Sequence, residues 1–191
     1  MSGALHPRSV VLVEGPSDRV ALEGLAKRLG RNLSTEGVLV VPIGGAQAIG
    51  KVLTLYGTDV TVAGLCDAAE ERHFRRALER AGLGTDLTRA DMESLGFFVC
   101  EKDLEDELVR CLGNAALERI IEAAGESRRF ETFRKQVEKR GLPYEQQLHG
   151  FIWNRKIRYA RLFIEALDLD NVPRPLEGVL RHVATPLCDL T

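Results

Sequence analysis

The stretch Ser9-Val10-Val11-Leu12-Val13-Glu14-Gly15-Pro16-Ser17-Asp18 limits the fold more than any other. An unbroken apolar run of this kind, rich in β-branched valine, reads as a strand buried on both faces, the sort found in parallel sheets covered by helices. It ends in Glu14 and turns at Gly15. Helical spacing follows over 17–29, with Val20, Leu22, Leu25, Ala26 and Leu29 on one side and Ser17 as the expected N-cap. The strand therefore brings one carboxylate, Glu14, to its C-terminal tip. The first turn of the helix brings a second, Asp18. Two carboxylates at the mouth of an α/β sheet are a natural seat for a hard cation such as Mg²⁺.

The same alternation continues. Strands are expected over 37–43, 60–65 and 96–100, and helices from Gly44-Gly45 to about 55 and over 70–81, where Phe74, Ala77, Leu78 and Ala81 form a stripe. Short connections between alternating strands and helices predict a parallel four-stranded sheet flanked by helices. From Asp103 onward only helical periodicity is present, over 104–112, 115–124, 128–139, 151–167 and 176–183, punctuated by Gly113, Gly125, Gly141-Leu142-Pro143 and Val172-Pro173-Arg174-Pro175. The expected organisation is an α/β domain over 8–112 and a helical extension over 113–191 packed on it.

Bulk properties remove several function classes. A net charge of −2 gives no global attraction for nucleic acid, so any basic surface is local. Cys66, Cys100, Cys111 and Cys188 have no metal spacing and read as reduced thiols of a reducing compartment. No apolar run approaches the roughly 20 residues that span a bilayer, and the N-terminus lacks a signal-peptide core. A cytoplasmic protein with no membrane partner is expected.

Carboxylates stand at three expected strand ends: Glu14 and Asp18 after the first, Asp67 after the third, and Glu101 to Glu107 after the fourth. In an open parallel sheet these ends share one edge. Like charges gathered there repel and raise one another's pKa unless a cation lies between them. Taken singly, Glu14 reads as functional, Asp18 as a first-turn residue matched to the helix dipole, and Asp67 as either a cap or a ligand. Asp103 is a credible cap; Glu105 flanks the buried Leu104, Leu108 and Leu112 stripe and can turn toward the sheet edge; Asp106 and Glu107 read as solvated.

The ordered set resembles a known family. Leu12-Val13-Glu14-Gly15-Pro16-Ser17-Asp18, Val41-Pro42-Ile43-Gly44-Gly45, Gly64-Leu65-Cys66-Asp67 and Lys102-Asp103-Leu104-Glu105-Asp106-Glu107-Leu108 resemble the TOPRIM domain of OLD (overcoming lysogenization defect) nucleases. Arg155-Lys156-Ile157-Arg158-Tyr159-Ala160 is similar to the basic helix that follows that domain. The resemblance implies a TOPRIM (Rossmann-like) fold and a two-metal, Mg²⁺- or Mn²⁺-dependent DNA endonuclease. Glu14, Asp18, Asp67, Asp103 and Glu105 would be the metal ligands, Glu14 and Asp67 would be catalytic, and Lys156 would offset transition-state charge. DNA is the implied partner. A separate OLD-type ATPase chain is a further candidate, because full OLD proteins carry an N-terminal ATPase and this sequence starts almost at the first TOPRIM strand. A homodimer is another. One departure stands out: where TOPRIM domains carry Asp-x-Asp, this chain has Asp67-Ala68-Ala69, and Glu70 follows one position later.

Other motifs are weaker. Gly45-Ala46-Gln47-Ala48-Ile49-Gly50-Lys51-Val52 approaches a phosphate-binding loop, but Val52 stands where a hydroxyl is needed. Residues 128–161 hold ten Lys or Arg against three Glu, a basic face suited to a phosphate backbone or simply to solvent. Trp153 is read as core rather than a base-stacking platform, and His6, His73, His149 and His182 as surface or core. Two rivals stay open: a catalytically degenerate TOPRIM module that binds nucleic acid or an ATPase without cutting, and primase-type nucleotidyl transfer, for which no companion segment is present.

Overall fold

A computed structural model of the chain describes residues 7–44, 48–56 and 60–184. Gly45, Ala46 and Gln47 of the phosphate-loop look-alike, together with His6 and Cys188, lie outside the described residues. Strand β1 (Ser9–Val13) is buried along its whole length, as its apolar run demands. It pairs in parallel with β2 (Val38–Pro42) on one side and β3 (Thr61–Cys66) on the other, and β3 pairs in parallel with β4 (Phe97–Val99). The sheet order is β2-β1-β3-β4. The architecture is α/β, a four-stranded parallel sheet flanked by helices.

Right-handed crossovers decide which helix covers which face. The chain leaves β1 for β2 through α1 (Pro16–Arg28), then reverses direction to reach β3 through α2 (Ile49–Tyr56), so α1 and α2 fall on opposite faces. Helices α3 (Glu71–Arg80) and α4 (Arg89–Ser94) lie between β3 and β4 and cover the same face as α2. Alternate strand residues accordingly feed two cores. Val10, Leu12, Cys66, Phe97 and Val99 pack with Ile49, Phe74, Leu78 and Met92. Val11, Val13, Val40, Ala63 and Leu65 pack with Leu22 and Leu25 of α1 and with helices from the second half of the chain.

That second half comprises α5 (Leu104–Ala123), α6 (Ser127–Arg134), α7 (Tyr144–Ile152), a 3₁₀ turn (Trp153–Arg155), α8 (Lys156–Ala166) and α9 (Arg174–Ala184). Helix α8 stacks on α1 and α5, while α9 lies on the sheet itself against β3, β4 and β1. Gly178 permits this approach: a Cβ there would fall 2.3 Å from the Phe98 ring. Arg28 joins the two halves by donating to the carbonyls of Ile164 and Leu167 at the end of α8.

Several local expectations need correction. The N-cap of α1 is Gly15, not Ser17; Pro16 then occupies the first turn, where its missing N–H costs nothing. Helix α4 went unpredicted despite its capping box, in which Thr88 and Asp91 bond reciprocally. The break expected at Gly113 is a kink within α5, with φ 70 and ψ 162, a backbone open to glycine. The helix expected over 151–167 starts after Pro143 as α7, breaks at Trp153–Arg155, and resumes as α8.

Candidate metal and nucleic-acid site

The order in which strands are added to the sheet reverses between the parallel neighbours β1 and β3, which leaves a crevice at their carboxyl ends. Glu14 follows β1 and Asp67 follows β3, so the two flank that crevice. They are joined directly: the Asp67 backbone N–H donates to Glu14 Oε1 at 2.7 Å. The neighbouring loop after β4 is tied in as well, with Cys100 N–H donating to the Cys66 carbonyl and Ala68 N–H to the Lys102 carbonyl. Acids distant in sequence thus meet on one rim.

Asp18 lies in the first turn of α1 and accepts from the Gly15 N–H at 2.8 Å, which closes the helix start against the strand tip. Glu105 reaches the same region from the first turn of α5. It is 4% exposed and its Oε2 accepts from Lys156 Nζ at 3.2 Å, while Oε1 is buried without a hydrogen-bond partner. An unpartnered buried carboxylate oxygen is costly unless something positive completes its shell. Asp103 is the N-cap of α5, accepting from Asp106 N–H, and its carboxylate also pairs with His149 Nε2 at about 2.8–2.9 Å. Its oxygens are therefore engaged on the side of α7.

The electrostatics follow from this crowding. Burial pushes the Asp67 carboxyl up to about 8, reinforced by Glu14, Asp18, Asp103 and Glu105. Burial likewise raises Asp18 to about 6, against the pull of the Gly15 amide and with Glu105 and Glu14 adding to the rise. Glu14 is raised by burial, opposed by the Asp67 amide and assisted by Glu70. Asp103 behaves differently: burial works to raise it, but His149, the Asp106 amide and Lys102 outweigh that and hold it below the ordinary range. Glu70, the residue beyond the missing second aspartate, is close enough to act on Glu14, with its own Oε2 3.4 Å from His73 Nδ1.

Glu14, Asp18, Asp67, Glu105 and Lys156 therefore share one electrostatic neighbourhood, and Asp103 borders it. No three His, Cys, Asp or Glu side chains among the described residues already stand at metal-holding distance. Three sequence readings are revised. Glu107 is buried, not solvated: it accepts from Glu101 N–H and pairs with Arg110. His149 is a partner of a site acid. Trp153 is 58% exposed rather than core, because the 3₁₀ turn swings it outward. Its ring lies 4.1 Å beneath Lys156 Nζ. A Trp two residues before Arg155-Lys156 was the available signal.

Sequence reasoning also missed Glu126. It is 2% exposed, accepts from Tyr159 Oη at 2.6 Å and from Arg158 at 2.9 Å, and attracts Arg129 and Arg155. Burial opposes its ionisation, but the tyrosine and the arginines prevail and hold it below the ordinary range. Arg155, Arg158 and Tyr159 surround Lys156 in sequence, so this anchor fixes the start of α8 and the cation it carries.

The family model described as "Overcoming lysogenization defect protein-like, TOPRIM domain" matches residues 6–68, the segment that holds Glu14, Asp18 and Asp67. The C-terminal region of the Xanthomonas campestris pv. campestris OLD protein superposes with a TM-score of 0.72 at 25% identity, covering 93% of this chain and 92% of that one. The C-terminal region of the Burkholderia pseudomallei OLD protein gives a TM-score of 0.70 at 22% identity, covering 93% and 97%, a likeness of fold. No curated protein sequence matches the chain. No helix among the described residues is long and apolar enough to cross a membrane. The chain carries a TOPRIM domain that resembles the one in OLD proteins.

Proposed function

We propose that this protein is a divalent-metal-dependent DNA endonuclease of the OLD-like TOPRIM class, acting in the cytoplasm and using Mg²⁺ or Mn²⁺. The observation that carries the reading is the Glu14–Asp67 link across the switch point, with Glu105 and Lys156 in the same electrostatic neighbourhood. The donor set fits a hard cation: it is all carboxylate, burial and mutual repulsion raise Glu14, Asp18 and Asp67 above the ordinary range, and Glu105 Oε1 has no hydrogen-bond partner. Glu14, Asp18, Asp67 and Glu105 would hold the ions, with Asp103 at the border. Bound ions supply Lewis acidity to the phosphodiester and acidify water.

The chain's own groups do the rest. Glu14 is held in place by the Asp67 amide and keeps its second oxygen free of that bond. Lys156, braced by Glu105 and by the Trp153 ring, presents a cation where negative charge grows on a phosphate under attack. His149 holds Asp103 on the α7 side of the rim. The α/β unit over 8–112 would carry the acids, and the extension over 113–191 would supply Lys156 and His149. A separate ATPase chain and a second copy of this chain remain candidate partners.

Nicking of supercoiled plasmid with Mg²⁺ or Mn²⁺ tests this. Cleavage should require the metal, and Asp67→Ala should abolish it in a folded protein; unchanged cleavage by that variant refutes the assignment. One observation favours a second reading. Ala69 stands where the second aspartate of Asp-x-Asp belongs, which would make this a binding module that does not cut. Absence of Mn²⁺ binding at millimolar concentration would select it.

A further inference from the structure

An exposed tryptophan at the edge of a charged cleft calls for explanation, since burying such a ring is normally favourable. Trp153 does not sit alone. Lys156 Nζ contacts both its ring, at 4.1 Å, and Glu105, at 3.2 Å, so a single side chain spans the distance from indole to acidic rim. Nearby, Arg129, Arg155 and Arg158 share one buried carboxylate, Glu126. One negative charge among three guanidiniums leaves that surface positive, and Arg129 and Arg158 are 70% and 51% exposed.

We infer that Trp153 is a stacking platform for an unpaired base next to the phosphate that the site engages. The inference rests on the nuclease reading and adds to it the form of the substrate. A positive surface tracks a phosphate backbone, whereas a half-exposed indole offers nothing to phosphate and, on the side away from Lys156, a π-face to a base. Bases within a duplex are already stacked on their neighbours, so the base that lies on Trp153 belongs to a single strand, a flap or a frayed end. Lys156 places that base beside the reaction centre rather than at a remote contact. The 3₁₀ turn between α7 and α8 is the backbone device that separates the two jobs, turning Trp153 to solvent while Lys156 points to Glu105.

The chain contains one tryptophan, so its fluorescence reports on this position alone. The test titrates the full chain, in EDTA and separately in Ca²⁺, with three fluorescein-labelled probes of about 12 nucleotides: single-stranded oligo(dT), an abasic strand and a blunt duplex. Anisotropy reads binding, and indole emission reads stacking. Oligo(dT) should quench the emission, and the abasic strand and duplex should bind without quenching. Trp153→Ala should lose about 5- to 150-fold in affinity for oligo(dT) and little for the abasic strand, with Trp153→Phe largely restoring it. Binding with unmoved emission and equal affinity for dT and abasic strands overturns the platform but leaves the nuclease reading standing. Failure to bind any of the three overturns both. A dimer that dissociates on Trp153→Ala would show that a second copy covers the ring, which also overturns the platform.

Discussion

Asp67→Asn should make the metal-free protein more stable, and by an amount that grows with pH. The Asp67 carboxyl is pushed from 3.8 to about 8 by burial and by Glu14, Asp18, Asp103 and Glu105. An acid whose folded-state pKa exceeds its unfolded value contributes its full stability below the unfolded value, and that contribution is lost as pH rises through the folded one. Between about pH 4 and pH 8 the wild-type fold is therefore progressively penalised. At about 1.4 kcal/mol per pKa unit the full shift would be large, but Asp67 is partly exposed and solvent screening reduces it to on the order of 1–3 kcal/mol. Asparagine keeps the amide that Glu14 uses, since that bond comes from the backbone. Urea denaturation in EDTA, followed by circular dichroism at about pH 5 and about pH 8.5, measures the gap. The gap should widen at the higher pH, and millimolar Mg²⁺ should then favour wild type over the variant. A gap that is absent, or that narrows as pH rises, would show that the acids do not crowd one another as described.

Two other outcomes follow from the same contacts. Lys156→Ala should lower the nicking rate by about 10²- to 10³-fold while leaving the circular dichroism spectrum unchanged, because the Tyr159–Glu126 anchor still holds α8. Glu126→Leu should cost about 3–5 kcal/mol in thermal or chemical unfolding, since it leaves Tyr159 Oη and three arginines facing an apolar side chain. Wild type should show the related pH effect: Glu126 is depressed below its unfolded value, so its contribution is present above that value and is lost as pH falls through the folded one.

Strand identity was legible because buried parallel strands are written as uninterrupted apolar runs: Val10 to Val13 and Val38 to Val41 leave little choice of period. Once the strands were in place, sheet geometry brought Glu14 and Asp67 to a common edge without any knowledge of side-chain contacts. What escaped notice depended on local backbone turns. The 3₁₀ break at Trp153–Arg155 carries no glycine or proline, so helical periodicity runs straight through it and places Trp153 in the interior. Helix α4 is only six residues long, too short for a hydrophobic stripe to register. The Glu126 and His149 pairings join residues 33 and 46 positions apart across separate helices, and no spacing rule relates them.

Helix α9 has a consequence for the order of assembly. It lines one side of strands β1, β3 and β4, yet it is made after almost all of the described chain. On the ribosome those strands emerge long before their cover, and Lys156 also emerges late. A growing polypeptide therefore holds the acidic rim over a half-wetted sheet before Lys156 is there to pair with Glu105, and contacts between such distant segments form slowly. Closure of that face of the sheet thus waits for the last described helix.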